Sequence, residues 1–370
     1  MQLSSVVVIG GYGATGRAVA RLLLQYTSRD VIIAGRHMDH AEQAAHALRR
    51  EFPGDRLRSA EADASDPEAL GELLAGCALV IVCSATPEHA ATVARAALAA
   101  ECDYLDLFAE ESVWGALEPL AAECAARDRY FVAQAGMHPG LPPALVRFAA
   151  PYFDDIDEAT IDAVMHLRDV PFEAMRSLLA FVQDSPSRLY DDGAWHATSP
   201  WRMRAADFGP PLGELGTYPS YSPDMVNIPR RLGIARVGVY FAGFNWFVDW
   251  LVMTPLIVLK LGRWAWALDL FARLGCWGLA RFSQGPALTV VKATLRGQCR
   301  DVAGEATVRV SHRDPYIVTA AAAVACAQQI LDRSLGDPGL YRMGEVVGPE
   351  RLLNDLRVMG LTVQTRLPRR

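Results

Sequence analysis

The first 130 residues alternate short apolar runs with longer segments in which apolar residues recur every three or four positions. Apolar runs without polar alternation are typical of strands buried on both faces of a parallel sheet, and the longer segments have helical periodicity. The predicted strands are 5–10, 30–34, 57–61, 78–83, 103–106 and 130–134, and the predicted helices between them are 14–26, 38–50, 66–75, 88–100 and 111–127. This alternation predicts an α/β fold with a doubly wound parallel sheet.

The pattern changes after about residue 150. Residues 159–168, 288–296 and 305–312 alternate apolar and polar positions, as half-exposed strands of an antiparallel sheet do. A helix is predicted over 316–334, and 341–370 contains a further short helix. Because 370 residues exceed what one core usually organises, we predict two domains. The predicted division is 1–135 for the parallel sheet, 136–315 for an α+β domain that contacts substrate and a dimer partner, and 316–370 for helices that return to the first domain.

A Trp-rich helical segment is predicted over 237–282, which holds five of the eight tryptophans. Its first part, 237–261, is long enough for one membrane span, but Asn245 and Asp249 in its middle oppose that interpretation. Three arginines interleave with the tryptophans, as in helices that lie at a membrane surface: Arg263, Arg273 and Arg281. Three interpretations stay open: a buried or substrate-lining helical pair, a peripheral membrane contact, and a true span.

Charge and cysteine content exclude several classes of protein. The net charge of -6 and the pI of about 5.8 make no electrostatic case for nucleic acid. The seven cysteines form no C-x-x-C pair, so we predict no metal site and no disulfide framework. The first predicted strand begins almost at once, so we expect no secretory leader. A cytoplasmic protein, with a peripheral position at the inner face of a membrane as a variant, fits these features.

Residues 6–16 read VVVIGGYGATG and run directly into a predicted helix. The spacing Gly11-x-Gly13-x-x-Gly16 after a strand is the glycine pattern of a dinucleotide-binding, or Rossmann, βαβ unit. We expect Gly11 to permit the tight turn, Gly13 to let backbone amides approach a pyrophosphate, and Gly16 to let the helix pack against the strand. The predicted cofactor contacts in this turn are Gly11, Tyr12, Gly13, Ala14, Thr15 and Gly16. The alternative is an ordinary glycine-rich turn.

The second strand indicates which dinucleotide is bound. It ends in Ala34-Gly35-Arg36-His37, where NAD-binding units usually place Asp or Glu for the ribose 2′-hydroxyl. Arg36 suits a 2′-phosphate instead, so we predict NADP. If Arg36 only stacks on the adenine, either cofactor would be accepted.

Two further segments complete the predicted cofactor site. Asp63, after the third strand, is a candidate for the adenine edge or for a helix-cap neighbour. The small residues after the fourth strand would flank the nicotinamide, or form a plain loop: Ser84, Ala85 and Thr86.

Catalytic candidates follow the fifth and sixth strands. His138 lies in Gly136-Met-His-Pro-Gly140, a loop that should lie at the carboxyl edge of the sheet. An imidazole titrates near neutrality and would exchange a proton there, or it would only cap the next helix. Tyr104 and Asp106 share one face of their strand, and Asp106 would anchor a loop or touch the substrate. Hydride transfer itself needs little beyond placement of the cofactor.

These segments resemble the saccharopine dehydrogenase-like superfamily. The matching pieces are Gly10–Gly16, Ala34–Arg36, Asp103–Leu107, Gly136–Pro142 and Gly344–Glu350. The resemblance implies an NAD(P)-binding Rossmann domain and an α+β domain used for substrate and often for dimer contacts. Some members reduce imines formed from amino groups and carbonyls, and others, including lipid-linked enoyl reductases, reduce C=C bonds. The arginines with which the amino-acid enzymes bind carboxylates have no positional match here, and the Trp-rich segment is more similar to the lipid-associated branch.

The sequence therefore predicts an NADPH-dependent reductase of a C=C or C=N bond in an apolar substrate, with a lipid-linked molecule as one form of it. One alternative is an amino-acid dehydrogenase of the opine or saccharopine type. Another is a non-catalytic, NADP-binding scaffold associated with lipid. We further predict a homodimer.

Overall fold

A computed structural model describes residues 5–184 and 186–368. The first part of the chain follows the predicted alternation, with element ends within about three residues of those predicted, and it divides the last predicted helix into two. Its strands and α-helices are β1 (Ser5–Ile9), α1 (Ala14–Tyr26), β2 (Asp30–Gly35), α2 (Met38–Arg49), β3 (Leu57–Glu61), α3 (Pro67–Leu74), β4 (Cys77–Val82), α4 (Ala90–Ala99), β5 (Asp103–Asp106), α5 (Glu111–Leu117), α6 (Ala121–Ala126), β6 (Tyr130–Ala133) and α7 (Leu141–Ala149).

The middle of the chain supplies most of the second sheet and a group of helices. Its elements are β7 (Asp155–His166), α8 (Phe172–Asp184), β8 (Arg188–Asp191), β9 (Ala194–Ala197), β10 (Arg204–Asp207), β11 (Glu214–Ser220), α9 (Ile228–Leu232), β12 (Arg236–Ala242), a π-helical turn (Val248–Met253), α10 (Thr254–Val258), α11 (Ala265–Phe282), β13 (Leu288–Cys299) and β14 (Val302–His312). The chain ends with α12 (Pro315–Leu331), β15 (Gly339–Arg342), α13 (Met343–Val346), α14 (Pro349–Val358) and β16 (Thr362–Arg366).

Strands β1 to β6 form a parallel sheet in the order β3-β2-β1-β4-β5-β6, which β15 extends beside β6. This is the strand order of dinucleotide-binding Rossmann sheets. The inner strands β1, β2, β4 and β5 are almost wholly buried, as their apolar runs predicted, whereas the edge strands β3 and β15 are partly exposed. Helices α3 and α4 pack on one face through Leu70, Leu74, Val93 and Ala97. The carboxyl ends of β1, β4 and β5 therefore meet at one edge, where such sheets bind their ligands.

The second sheet is mixed and has nine strands, seven of them in the order β10-β11-β12-β7-β13-β14-β16. The predicted antiparallel pairing of the three alternating segments is confirmed, because β13 pairs antiparallel with both β7 and β14. The prediction missed β12, which pairs in parallel with β7. One consequence is a correction to the Trp-rich segment: residues 237–242 are strand, since their short run of β-branched and aromatic residues finds a partner in β7.

The rest of the Trp-rich segment is helical and packs with α8. The π-helical turn, α10 and α11 bury one side around Val252, Leu256, Leu268 and Ala272. No helix among residues 5–184 and 186–368 combines the length and the hydropathy that a membrane span requires. The spanning interpretation of this segment is thus not supported.

The chain divides into two compact units. The first contains residues 1–148, 223–225 and 316–363, and the second contains 149–222, 226–315 and 364–370. The predicted boundary at 135 is 13 residues too early, because α7 belongs to the first unit. There, the Arg147 guanidinium donates to the carbonyl oxygens of Gly344 and Val347 at 3.0 and 2.8 Å.

Candidate active site

The glycine-rich turn after β1 differs in detail from the prediction. Gly10, the extra glycine, has a positive φ of 75° and makes the tight turn that was assigned to Gly11. A Cβ on Gly10 would lie 2.6 Å from the backbone nitrogen of Ser84, so this position also lets β1 and β4 approach each other. Gly11 is buried, and a Cβ there would meet the Val8 carbonyl oxygen at 2.8 Å.

Gly16 has the predicted packing role. A Cβ on Gly16 would overlap the Gly10 carbonyl oxygen and lie 2.7 Å from the Gly11 Cα, both of them backbone atoms that cannot move aside. Helix α1 can therefore begin directly against the turn only if this position lacks a side chain.

Helix α1 begins directly after this turn, and its first backbone amides are candidates for binding the pyrophosphate. Gly13 is the N-cap residue, and no side chain accepts a hydrogen bond from the first amides of the helix. The first turn also contains no acidic residue. Because those amides lack helical partners and carry the positive end of the helix dipole, they suit a pyrophosphate.

A cleft of about 370 Å³ opens beside the turn, within the first unit. Its lining includes seven residues predicted from the sequence: Tyr12, Gly13, Arg36, Asp63, Ser84, Ala85 and Thr86. The other predicted turn residues do not line it: Gly11, Ala14, Thr15 and Gly16. Gly11 and Gly16 pack against backbone atoms, and Ala14 and Thr15 belong to the start of α1. The prediction missed Glu88 and His89, which line the cleft opposite the turn; a histidine two residues after Pro87 was the available signal.

Arg36 is exposed at the rim of this cleft and makes no hydrogen bond or ion pair with any residue in the described part of the chain. Its guanidinium is therefore available for an anionic ligand. The neighbouring Gly35 has a separate role, because a Cβ there would overlap the Tyr12 ring. Tyr12 in turn makes an edge contact with His40 in α2, with ring centroids 5.5 Å apart. Tyr12 and Arg36 both line the cleft, and His40 supports the Tyr12 ring from α2.

Asp63 lies on the same side of the cleft as Arg36. Its Oδ1 accepts hydrogen bonds from the backbone nitrogen and the hydroxyl of Ser65, at 2.8 and 2.7 Å. Those two bonds are the main reason that the pKa of Asp63 is lowered, and Arg36 and His89 lower it further. Asp63 is thus an ionised acceptor at the cleft, with one oxygen committed to its own turn.

Tyr104 and Asp106 are buried at the carboxyl end of β5 and do not line the cleft. Asp106 Oδ1 accepts from the backbone amides of Phe108 and Gln134, at 3.1 and 3.0 Å. Burial nevertheless outweighs these bonds and raises the pKa of Asp106 to about 7. Asp106 is therefore the group in this region that changes charge near neutral pH.

Three neighbouring polar groups here are buried without a hydrogen bond of normal geometry among the described residues: the Tyr104 hydroxyl, Asp106 Oδ2 and the amide of Gln134. The Tyr104 hydroxyl and Asp106 nevertheless lie close to each other, since burial and the adjacent Asp106 both raise the pKa of Tyr104. Gln134 follows β6 with a positive φ of 61°, which is uncommon for a residue with a side chain. Buried polar groups are normally paired, so several unpaired ones at the ligand edge of a sheet indicate a ligand or water site. The sequence did not single out Gln134, because nothing local marks its conformation.

His138 differs from its prediction. It lies in the predicted loop, which is closed by hydrogen bonds between Gly136 and Pro139 and between Leu141 and Gly136, both 3.1 Å. Burial lowers the pKa of His138 to about 4, so the imidazole is neutral at pH 7 and does not titrate near neutrality as expected. The loop is further held by Asp224, whose Oδ2 accepts from the Gly140 amide at 2.5 Å.

The second unit contains a cluster of cations that the sequence did not reveal. The cross-strand register places Tyr240, Asp162, Lys292 and Arg309 in one row across β12, β7, β13 and β14. Asp162 is buried and paired with Arg204 and with Lys292, whose Nζ lies 3.7 Å from it. Arg309 donates to Ser311 and Gln364 at 3.0 and 3.1 Å rather than to a carboxylate. The row thus brings three cations around one carboxylate, and Lys292 and Arg309 also donate to the backbone carbonyl oxygens of Asp207 and Phe208.

Residues 6–135 match the family model described as the saccharopine dehydrogenase NADP binding domain. Residues 6–135 therefore form a domain similar to the NADP-binding domain of saccharopine dehydrogenases. This match agrees with the glycine turn and with Arg36, and it makes NADP the cofactor and the protein an NADP-dependent oxidoreductase. The cleft fits that cofactor, because it joins a glycine cradle and helix amides for the pyrophosphate to an uncommitted guanidinium at its rim.

Solved structures extend the similarity to the whole chain. Apo, histidine-tagged saccharopine dehydrogenase (L-Glu forming) from Saccharomyces cerevisiae superposes with a TM-score of 0.72 at 14% identity, covering 98% of this chain and all of that one. At this identity the similarity shows the shared fold. DAP dehydrogenase from C. glutamicum, in complex with DAP, has a TM-score of 0.49 at 12% identity and covers 97% of this chain and 99% of that one. No curated protein matches the sequence.

Proposed function

We propose that this oxidoreductase reduces the C=N bond of an imine formed between an amino-acid amine and a carbonyl compound. In this reaction NADPH supplies a hydride to the imine carbon and a proton is added to the nitrogen, giving a secondary amine and NADP⁺. The observation that carries the proposal is the set of unpaired buried polar groups at the carboxyl end of β5 and β6. A substrate with an amine nitrogen and carboxylates can satisfy such groups, whereas an isolated C=C bond in an apolar chain cannot.

The domain match and the shared fold support the same substrate class. A solved structure that shares the fold over 98% of this chain is named as a saccharopine dehydrogenase that forms L-Glu, which is an amino-acid enzyme. We propose in addition that the cluster of Arg204, Lys292 and Arg309 in the second unit binds a carboxylate, in the role that arginines have in the amino-acid enzymes of the superfamily.

We assign the proton to Asp106 rather than to His138. A general acid works best when its pKa lies near the working pH, and Asp106, at about 7, meets that condition. A neutral imidazole with a pKa of about 4 holds no proton that it readily gives up at pH 7. His138 then has the role of a hydrogen-bonding group in the loop, and Tyr104 and Gln134 orient the substrate beside Asp106.

The test is an NADPH-oxidation assay with pairs of an amino acid and a 2-oxo acid, followed by mass spectrometry of the secondary amine. Asp106→Asn keeps the acceptor for both backbone amides but removes the proton. We expect it to lower kcat by about 100-fold or more, as for loss of a general acid, with the NADPH Kd unchanged. The matched control is Asp103→Asn, a buried acid at the other end of β5 whose Oδ1 accepts from the Tyr130 amide at 2.8 Å. Equal losses in both variants would contradict the role of Asp106.

A second candidate is reduction of a C=C bond in an apolar, lipid-linked substrate, and the exposed tryptophans of the second unit favour it. The same assay distinguishes the two, with an enoyl lipid in vesicles as the other substrate. Turnover of the enoyl lipid without turnover of any imine would refute our proposal.

A further inference from the structure

The helices of the second unit expose many large aromatic side chains to solvent. Each of the five tryptophans in residues 244–282 is between 41% and 67% exposed. Exposed leucine and valine side chains lie among them. The members of this face, which we call the tryptophan face, are Trp246, Trp250, Leu251, Val258, Leu259, Trp264, Trp266, Leu270 and Trp277. Many large apolar side chains exposed within one helical layer mark a candidate interaction site.

Helix α11 has two apolar sides. Its inner side is buried through Leu268, Ala272 and Leu279, which belong to the core of the helical layer. Its outer side is a stripe at helical spacing: Trp266, Leu270, Arg273, Trp277 and Arg281, all exposed. At a rise of about 1.5 Å per residue the stripe is about 22 Å long. In the described part of the chain the stripe has only partial cover, in which Trp264 stacks on Trp266 and Phe247 contacts Trp277, whereas the inner side is buried.

The charges of this region differ from those of the chain. Residues 244–282 contain four basic and two acidic residues, whereas the whole chain has a net charge of -6. The two acids are already committed: Asp269 pairs with Arg176 at 2.7 Å, and Asp249 accepts from the Phe244 amide at 2.9 Å. The local excess of positive charge is therefore available to an anionic partner.

Three guanidinium groups of the region lie over aromatic rings. Arg263 lies 4.3 Å from the centroid of Trp264, and Arg273 lies 5.3 Å from that of Phe172. Arg281 lies 5.5 Å from the centroid of Phe282. Within the described part of the chain none of the three has a carboxylate within 4.0 Å, so their charges stay unneutralised at the edge of the apolar surface.

We propose that the tryptophan face binds the surface of a bilayer that contains anionic phospholipid. Tryptophan and arginine side by side suit the boundary between headgroups and acyl chains, and α11 would lie parallel to that boundary. A second copy of the chain suits the face less well, because a two-fold contact would bring the unneutralised cations of both copies together. The proposal is independent of the substrate and holds for either candidate function.

The experiment measures binding of the full-length protein to vesicles by co-sedimentation. Vesicles of phosphatidylcholine alone are compared with vesicles that also contain phosphatidylglycerol. Serine replaces three exposed tryptophans in one variant: Trp250→Ser, Trp266→Ser and Trp277→Ser. The matched control is Trp201→Ser, because Trp201 is 44% exposed in the same unit but lies outside the face. NADPH affinity, measured on every variant, verifies that the first unit is intact.

We expect the wild type and the Trp201 variant to bind anionic vesicles equally, with a blue shift of the tryptophan emission. The triple variant should bind at least about tenfold more weakly, since each tryptophan buries roughly 100 Å² of apolar area in lipid. Arg273→Gln combined with Arg281→Gln should weaken binding to anionic vesicles by about fivefold per charge and leave binding to neutral vesicles unchanged.

Any of three results would overturn the proposal. The first is a wild type that binds neither kind of vesicle, and the second is a triple variant that binds as well as the Trp201 control. The third is a concentration-dependent dimer in sedimentation analysis that the triple variant abolishes, with no vesicle binding, because the face would then belong to a second copy.

Discussion

Replacing Arg36 by glutamine tests the basis of cofactor recognition. The side chain lines the cleft and is exposed, and it has no hydrogen bond or ion pair in residues 5–184 and 186–368. Glutamine removes the charge and leaves the backbone of β2 and the Tyr12 ring as they are. Since no hydrogen bond or ion pair is lost and only a weak interaction with the exposed Asp63 changes, the free energy of unfolding should change little, and the main effect should appear in the Kd of the cofactor.

The magnitude follows from the bond that is lost. Hydrogen bonds to a charged group contribute about 1.5–3 kcal/mol, and Arg36 would make them with a 2′-phosphate at a partly solvated rim. Removing them should weaken NADPH binding by about 10- to 150-fold. NADH has no 2′-phosphate, so its Kd should stay within about twofold. Arg36→Glu should lower NADPH affinity further, because it places two negative groups together.

Isothermal titration calorimetry with both cofactors measures these constants directly. The matched control is Arg50→Gln, since Arg50 is exposed at the end of α2 and does not line the cleft. An unchanged NADPH Kd in the Arg36 variant would refute the assignment. Equal weakening of NADPH and NADH would show that Arg36 stacks on the adenine instead.

Three further outcomes are expected. Because the pKa of Asp106 is raised to about 7, ionisation of this carboxyl should lower the stability of the wild-type protein by up to about 4 kcal/mol as the pH rises from 4 to above 7. In urea unfolding, Asp106→Asn should therefore stabilise the protein more at pH 8 than at pH 5. A wild type whose stability does not fall over that range would contradict the raised pKa. Gly16→Ala should lower stability by about 1–3 kcal/mol and abolish NADPH binding, since its Cβ meets backbone, whereas Gly71→Ala, with nothing within 4 Å, should raise the melting temperature. His138→Gln should leave the pH dependence of kcat near pH 7 unchanged, because the pKa of His138 is about 4. If the variant loses that pH dependence, His138 and not Asp106 is the proton donor.

Most strands and helices of the first unit could be predicted from the sequence, because each is specified by a local pattern of residues. The apolar runs of β1, β2 and β4 are buried on both faces, and the residues between them have helical periodicity, so element positions follow from the chain itself. The functions of the glycine turn and of Arg36 likewise depend on residues that are close together in the sequence. Their roles could be assigned before the fold was known, except that Gly10, and not Gly11, adopts the left-handed turn.

The strand pairing of the second unit could be predicted less well, because its strands pair across long separations in the sequence. The parallel pairing of β12 with β7 joins residues about 80 positions apart, and no local pattern specifies such a partner. The equally distant pairings of β13 with β7 and of β13 with β14 assemble the row of Asp162, Lys292 and Arg309. A search for arginines at fixed motif positions could not find this cluster.

By itself the sequence determined the Rossmann alternation, the phosphate-binding turn and the choice of NADP, because these depend on residue type at short spacing. The tertiary structure decided how the titratable groups behave and which apolar residues face outward. Burial raises the pKa of Asp106 and lowers that of His138, reversing the order that their residue types suggest, since transfer out of water penalises whichever form is charged. The tryptophans of α11 were visible in the sequence, but only the packed helical layer shows that they lie on its outer side, where more than half of each side chain stays exposed.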